Sequence, residues 1–279
     1  MMISTRQALA SATADFATVS ETPGLDAELL MAHAMGTTRE DLLLRHLDQP
    51  PPPAFEALVA RRLTHEPIAY ITGTRAFWTI DLAVGPGALV PRADSETLIE
   101  AALEHFGATG PAAILDLGTG PGTLLLAALD QWPGANGLGM DRSAEALAMA
   151  ADNARRLGLA DRAVLQPGDW FQPGDWVAAI NRRFDLVLAN PPYIGTDELL
   201  PPEVQAHEPA GALFAGADGL DAYRVIIPAL PRLLTPGGIA IIEIGHTQAD
   251  AVTALAEVAG LAARVVHDLG GRPHAIILS

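Results

Sequence analysis

The chain contains no cysteine. Disulfides, thiolate metal sites and a cysteine nucleophile are therefore excluded, and the composition suits a cytoplasmic protein. No apolar run reaches the length of a membrane span. The start, Met1 to Ala14, is alanine-rich without a sustained apolar core, so no signal peptide is read there. Positive charge is scarce: 17 basic side chains stand against 33 acidic ones, a formal net charge of -16. That balance argues against a general affinity for nucleic acid, which rests on neutralising phosphates. It leaves room for a local basic patch, and its plain meaning is solubility. Internal repeats and long low-complexity tracts are also missing.

What is present is enough apolar material, 49% of 279 residues, for one large or two ordinary domains with sizeable cores. Residues 1–65 read as a helical bundle. Asp26 to His33 carries apolar positions at helical spacing after the breaker pair Pro23-Gly24. Thr38 is placed to cap a helix through Asp41 to Leu47. Pro50 to Pro53 is a stiff connector, and Ala54 to Leu63 resumes the helical pattern. His33, His46 and His65 are scattered, and read as structural or solvated rather than as ligands. Residues 66–92 change period. Trp78, Ile80, Leu82 and Val84 alternate with Thr79, Asp81 and Ala83, and Gly73 and Gly85-Pro86-Gly87 supply turns. This predicts a linking β-hairpin, with Phe77 and Trp78 either packed at the domain junction or walling a substrate pocket.

Residues 93–279 form the third region. Strands are predicted at 112–117, 137–141, 162–166, 184–190, 238–244, 261–267 and 273–278, with helices between them, notably Ser143 to Leu157. The alternation implies an α/β fold with a parallel, doubly wound sheet.

Four sequence features fall just beyond the carboxyl ends of consecutive predicted strands. The first is Asp116-Leu-Gly118-Thr119-Gly120-Pro121-Gly122, whose glycines permit a tight turn and close approach of a ligand to the backbone. It is not a dinucleotide fingerprint, because Thr123 sits where the third glycine belongs. It is not a P-loop either, because no Gly-Lys-Ser/Thr follows. The second is Asp141, 23 residues after Gly118, where an acid normally accepts from ribose hydroxyls. The third is Asp169-Trp170, an acceptor for an adenine amino group beside a ring to cover its face; taken singly, a turn aspartate and a partly buried tryptophan explain it as well. The fourth is Asn190-Pro191-Pro192-Tyr193, which ends an apolar run, Leu186 to Ala189, of the kind a buried parallel strand shows. Two prolines stop the strand, the Asn190 amide offers one acceptor and two donors, and Tyr193 offers an aromatic face. That is a rigid cradle for a flat group bearing an NH2, a carboxamide or the exocyclic amine of a base. Together the four describe a nucleoside cofactor facing an amide-like acceptor.

These residues carry a family resemblance. The chain resembles the class I S-adenosylmethionine-dependent methyltransferases, and closely the peptide chain release factor glutamine N5-methyltransferases, the PrmC/HemK family. Asp26-Ala-Glu-Leu-Leu, Glu66-Pro-Ile-Ala-Tyr-Ile-Thr-Gly73, Phe77-Trp78, Pro91-Arg-Ala-Asp-Ser-Glu96, Asp116 to Gly120, Asp169-Trp-Phe171, Asn190 to Tyr193 and Glu208-Pro209 recur in order. The Asn-Pro-Pro-Tyr motif also occurs in adenine and guanine amino methyltransferases, so the helical front and the hairpin discriminate better. Ala93 and Ser95 stand where the family commonly has proline and threonine, and His207 where an aromatic commonly precedes Glu-Pro.

The resemblance implies a seven-stranded Rossmann-like methyltransferase domain behind an N-terminal substrate-recognition bundle. It implies S-adenosyl-L-methionine as cofactor, with S-adenosyl-L-homocysteine as product. Gly118, Thr119, Gly120, Pro121, Gly122, Asp141, Asp169, Trp170 and Asn190 are expected around the cofactor. Asn190, Pro191, Pro192 and Tyr193 are expected around a glutamine side chain, with Asn190, Pro191 and Tyr193 catalytic. The expected partners are class 1 release factors, methylated on the glutamine of Gly-Gly-Gln, with no metal, no membrane and no stable nucleic-acid binding. Methylation of a ribosomal protein glutamine, of an exocyclic amine in nucleic acid, or an inactive cofactor-binding adaptor are the rival readings.

Overall fold

In the computed structural model, which describes residues 3–279, the chain opens with a capped helix. Ser4 accepts from the Gln7 backbone N–H at 3.4 Å, and the Gln7 side chain accepts from the Ser4 N–H at 2.9 Å, which sets the start of helix Thr5–Phe16. The helix expected after Pro23-Gly24 instead begins on that pair, Pro23–Met35. Proline is suited to a first helical position, where its missing N–H has no partner to lose. Thr38 caps as expected, accepting from the Asp41 N–H at 3.2 Å. The helix it starts is short, Arg39–Asp41, and passes into a π-helical turn over Leu42–His46. Helices Ala54–Leu63 and Ile68–Thr72 follow.

Two units emerge from the packing: Met1–Thr74 with Leu200–Glu208, and Arg75–Leu199 with Pro209–Ser279. In the first, Phe16, Ala27, Leu30, Met31, Leu42 and Phe55 form the core. Arg62 is buried beside it. Its Nε donates to Asp26 at 2.8 Å, and its Nη1 to Glu203 at 2.6 Å and to the Glu66 carbonyl at 3.1 Å. Glu203 lies on the returning helix Pro202–His207, so one buried guanidinium pins a segment that arrives from 141 residues away. His207, unusual for its position in the resembled family, contacts the Thr64 carbonyl at 3.0 Å.

The second unit begins with a two-stranded sheet of β1 (Thr74–Phe77) and β2 (Ile80–Ala83). The expected strand through Trp78 is interrupted there. Trp78 has φ +54 and sits in the turn, its N–H on Glu96 at 2.9 Å and its indole on Gln131 at 3.0 Å. The main sheet has seven strands: β3 (Ala113–Leu117), β4 (Asn136–Asp141), β5 (Ala163–Pro167), β6 (Phe184–Ala189), β7 (Leu234–Glu243), β8 (Ala263–His267) and β9 (Pro273–Leu278). Their order is β5-β4-β3-β6-β7-β9-β8.

The sheet departs from the all-parallel expectation at one end, because β9 runs antiparallel to both β7 and β8. The reason is the connection. Asp268 to Arg272 cannot hold the crossover of a dozen or more residues that a parallel pair needs. β6 is apolar on both faces, and Phe184, Leu186, Val187, Leu188 and Ala189 are fully buried. The register pairs Leu117 with Met140 and with Ala189, and Asp141 with Pro167. The carboxyl ends of β3 to β6 therefore share one edge.

Candidate active site

That edge opens on a cavity of about 230 Å³. Of the expected site residues, Gly118, Thr119, Gly120, Pro121, Asp141, Asp169, Trp170, Asn190 and Pro192 line it. Gly122, Pro191 and Tyr193 are not among its lining residues. Phe77 and Trp78 are not among them either.

The glycine loop follows β3 and leads into helix Thr123–Gln131. Gly118, Gly120 and Gly122 have φ +74, +55 and +91, left-handed values that a residue with a Cβ adopts only under strain. At Gly118 a Cβ would also stand 3.1 Å from the Trp170 ring. The loop's amides are spent within the protein. The N–H groups of Gly118 and Thr119 donate to the Met140 carbonyl at 2.8 and 3.0 Å, that of Gly122 to the Thr119 carbonyl at 2.8 Å, and that of Gly120 to Asp141 Oδ2 at 2.8 Å. The loop thus offers a ligand close approach, but these N–H groups are not free to cradle an anion.

Carboxylates face the cavity instead. Asp141, at the end of β4, accepts on Oδ2 from Gly120 and on Oδ1 from the Ser143 N–H at 2.9 Å. A carboxylate oxygen has a second acceptor site, so each oxygen of Asp141 can still take a hydroxyl. Asp116 was overlooked as a site residue in the sequence, although it stands inside the glycine-loop motif. It is buried; its Oδ2 accepts from the Thr119 hydroxyl at 2.6 Å and from the Leu125 N–H at 3.2 Å, while its Oδ1 has no partner. Burial pushes its pKa up to about 7, against the pull of those two donors and with a further rise from Asp141.

Asp169 and Trp170 follow β5. Asp169 accepts from the Phe171 N–H at 2.9 Å and from Gln172 at 3.3 Å, an aspartate turn. Trp170 packs against Gly118 and the sheet core, with its indole N–H buried and unpartnered.

Asn190 follows the last residue of β6, and its Nδ2 donates to the Ser95 hydroxyl at 3.3 Å. Ser95 donates in turn to Glu243 Oε2 at 2.5 Å, and the Tyr193 hydroxyl donates to Glu243 Oε1 at 3.3 Å. The prolines between are buried. Burial, then Glu243, pushes the Tyr193 phenol well above its ordinary value, so it stays a donor. Burial also raises the Glu243 pKa; His274, Ser95 and Tyr193 oppose that, and Asp94 adds to it. Sequence reasoning missed Glu243. The available signal was a single acid in the otherwise apolar run Ile239 to Ile244.

Comparison with known proteins agrees with this geometry. The PrmC N-terminal domain model matches residues 7–73, and a methyltransferase domain model matches residues 110–267. The release factor glutamine methyltransferase of Rhodospirillum rubrum is 44% identical over 92% of this chain and 79% of its own length. Those of Cereibacter sphaeroides and Caulobacter vibrioides are 46% and 41% identical, covering 88% and 91% of this chain and 87% and 89% of theirs. Among solved structures, the hMettl16 catalytic domain in complex with the MAT2A 3'UTR hairpin 6 superposes with a TM-score of 0.56 at 15% identity, over 72% of this chain and 75% of that one. A methyltransferase from Pyrococcus furiosus gives 0.53 at 18% identity, over 78% and 95%. At those identities the two structures speak for the fold alone.

Proposed function

Since the chain belongs to the release factor glutamine methyltransferase family, we propose that it transfers a methyl group from S-adenosylmethionine to the side-chain nitrogen, N5, of the glutamine in the Gly-Gly-Gln loop of class 1 release factors. The observation that carries this reading is the state of Asn190. Its Nδ2 gives one of its two hydrogens to Ser95, which turns the nitrogen end of the amide toward Ser95 and the acceptor oxygen away from it, and an acceptor is what a substrate NH2 requires.

The residues present fit the cofactor. The unpartnered, buried Asp116 Oδ1 suits its cationic methionine end, and the open acceptor sites of Asp141 suit ribose hydroxyls. Asp169 and Trp170 are the side chains for the adenine. Loop amides already consumed inside the protein suit a cofactor without phosphates. When bound, S-adenosylmethionine supplies an electrophilic methyl group on a sulfonium.

The chain's own task is to make a poor nucleophile useful, because an amide nitrogen's lone pair is delocalised into its carbonyl. Asn190 Oδ1 and the Pro191 carbonyl accept the two amide hydrogens. This raises electron density on nitrogen and holds it in one orientation. Pro191 and Pro192 have no N–H to compete for those acceptors. Holding reactants in near-attack geometry supplies roughly 7–11 kcal/mol. The Tyr193 ring is assigned to the cationic centre, worth roughly 0.5–2 kcal/mol. No base is assigned, because the N-methylated product sheds its proton readily to solvent.

Recognition of the release factor is assigned to the helical front of the chain, residues 1–65, with 66–92 as linker and 93–279 as the methyltransferase domain. The setting is cytoplasmic, where release factors act. Among the described residues no helix is long and apolar enough to cross a membrane. The test is a radiolabelled methyl-transfer assay offering a class 1 release factor, ribosomal proteins and DNA in parallel, with peptide mapping of the product. Label on the Gly-Gly-Gln glutamine is the expected result. Label confined to ribosomal protein or DNA overturns the proposal.

A further inference from the structure

We propose that Glu243, a buried acid outside the Asn-Pro-Pro-Tyr motif, aims both polar side chains of that motif: Asn190 through the Ser95 hydroxyl, and Tyr193 directly. The use of Asn190 as an acceptor rests on the function proposed above; the orientation of its amide does not.

β6 and β7 pair Ala189 with Ile242, so the next residue on each strand, Asn190 and Glu243, stands at the shared carboxyl edge. Glu243 is 1% exposed and Ser95 is 2% exposed. Neither can turn to water for a partner, so their hydrogen bonds must be settled inside the protein. Burial favours the neutral acid at Glu243, while His274, Ser95 and Tyr193 favour the carboxylate; Asn190 presents Nδ2, which only donates, so Ser95 must accept from it and Glu243 Oε2 must act as an acceptor. Ser95 therefore gives its single proton to Glu243 Oε2, at 2.5 Å. With that proton spent, Ser95 can only accept from Asn190, and the 3.3 Å contact to Nδ2 has that polarity. The nitrogen end of Asn190 is thus held toward Ser95 and the oxygen end away from it. A neutral Glu243 would remove this constraint. The acid would donate to Ser95, the serine proton would be free for Asn190 Oδ1, and the amide would present its NH2 to a substrate that also carries an NH2.

The other carboxylate oxygen has its own duty. Glu243 Oε1 accepts from the Tyr193 hydroxyl at 3.3 Å. Four further neighbours complete the surroundings. His274 Nε2 lies 3.7 Å from Oε2 and makes no hydrogen bond of its own, so its protonation favours the carboxylate. Asp94 opposes ionisation. Tyr223 donates to the Glu243 backbone carbonyl at 2.9 Å and fixes that end of β7. Gln248 Nε2 donates to the Tyr193 carbonyl at 2.9 Å and fixes the other side. Ser95 and Glu243 touch no reacting atom in this scheme; they are positioning residues.

The test uses the full-length protein with cofactor and release factor, comparing wild type with Ser95→Ala, Ser95→Thr and Glu243→Gln. Losing a buried hydrogen bond in a charged chain is expected to lower kcat of Ser95→Ala by about 10- to 100-fold. Cofactor Kd and substrate KM should stay within about threefold, and Ser95→Thr, which keeps the hydroxyl, should regain most of the loss. A second readout needs no turnover. The chain has four asparagines, so the side-chain NH2 signals of 15N-asparagine-labelled protein can be assigned by substitution. The Asn190 pair should shift and exchange faster with water in Ser95→Ala, keep its position in Ser95→Thr, and respond to acid in wild type but not in Glu243→Gln. An Asn190 signal indifferent to Ser95→Ala, or a kcat unchanged by it, overturns the inference. So does a kcat loss that Thr does not restore and that cofactor affinity follows in step. Should wild type methylate no glutamine, the proposed function fails, and the asparagine spectra alone still decide the orientation.

Discussion

On the proposed function, Asp116 should couple cofactor binding to pH, by an amount that follows from its surroundings. The carboxyl is buried, with one oxygen held by Thr119 and Leu125 and the other bare. Its pKa rises from 3.8 to about 7. Folding therefore favours the protonated form. Between about pH 4 and 7 the native protein holds a proton that the unfolded chain has released, so this contribution to stability is complete below about pH 4 and is lost as the pH rises through about 7. A shift of about 3 units corresponds to about 4 kcal/mol of difference between the two limits. A cationic ligand reverses the preference, because it supplies the bare oxygen with a partner and the charge with a counter-ion.

Cofactor binding should then release a proton from Asp116. At pH 7 the ligand-free carboxyl is about half protonated, so about half a proton should appear on binding, and lowering the pH to 5.5 should weaken affinity about fifteenfold. Asp116→Asn keeps an acceptor for Thr119 and Leu125 but cannot ionise. Its affinity should be low and flat with pH, its proton release near zero, and its ligand-free stability less sensitive to pH from 4 to 7. Titration calorimetry of S-adenosylmethionine in buffers of different ionisation enthalpy measures all but the last, and chemical denaturation measures that. If wild type and Asp116→Asn release the same number of protons at pH 7, or if wild-type affinity is the same at pH 5.5 and 7, the reasoning is wrong.

Three further outcomes are expected. Asp141→Ala should weaken cofactor binding by about 1.5–3 kcal/mol, the value of hydrogen bonds to a charged group, and calorimetry on the folded variant checks it; unchanged affinity removes Asp141 from the ribose. Asn190→Ala should lower kcat far more than it weakens cofactor binding. Asn190→Asp should be no more active, because it cannot donate to Ser95 and sets a second carboxylate against Glu243; an Ala variant turning over substrate at the wild-type rate sinks the cradle. Arg62→Met should destabilise the protein by about 3–5 kcal/mol by stranding the buried Asp26, and should speed hydrogen exchange in helix Pro202–His207, whose Glu203 loses its partner.

Some features were legible in the sequence because one local rule decided them. β6 is an apolar run closed by two prolines, and each property alone marks the strand's end. Ala54–Leu63 agrees with its expected span, and the Ser143 cap starts the helix Ala144–Arg156 where it was expected. The failures have other causes. Trp78 continues an alternating pattern into a turn, since a half-buried turn residue looks like one more strand position. β9 was read as parallel although Gly270-Gly271 and a short connection favoured a hairpin. Glu243 is hard to see because a single acid in an apolar run acquires meaning only from partners distant in sequence, such as Ser95, 148 residues away; Asp116 has its partners close by, at Thr119 and Leu125, and what the sequence does not show is its burial and its bare Oδ1.

The electrostatics of the pocket follow from where the glycine loop spends its amides. In a dinucleotide site the loop after the first strand points free N–H groups at a pyrophosphate, and the helix N-terminus adds its partial positive charge. Here the same edge of the same kind of sheet carries a loop whose N–H groups close on the Met140 and Thr119 carbonyls and on Asp141. Closing the loop on a side-chain carboxylate does two things at once. It removes a donor that a phosphate would need, and it sets a negative charge beside the loop. Asp116, bare on one oxygen, adds a second site of the same sign once it ionises. A phosphate-bearing nucleotide would meet both penalties, whereas a nucleoside with a cationic tail meets neither. On the proposed function, what separates this pocket from a dinucleotide site is therefore less the spacing of the glycines than the spent loop amides and the bare oxygen of Asp116 at the end of β3.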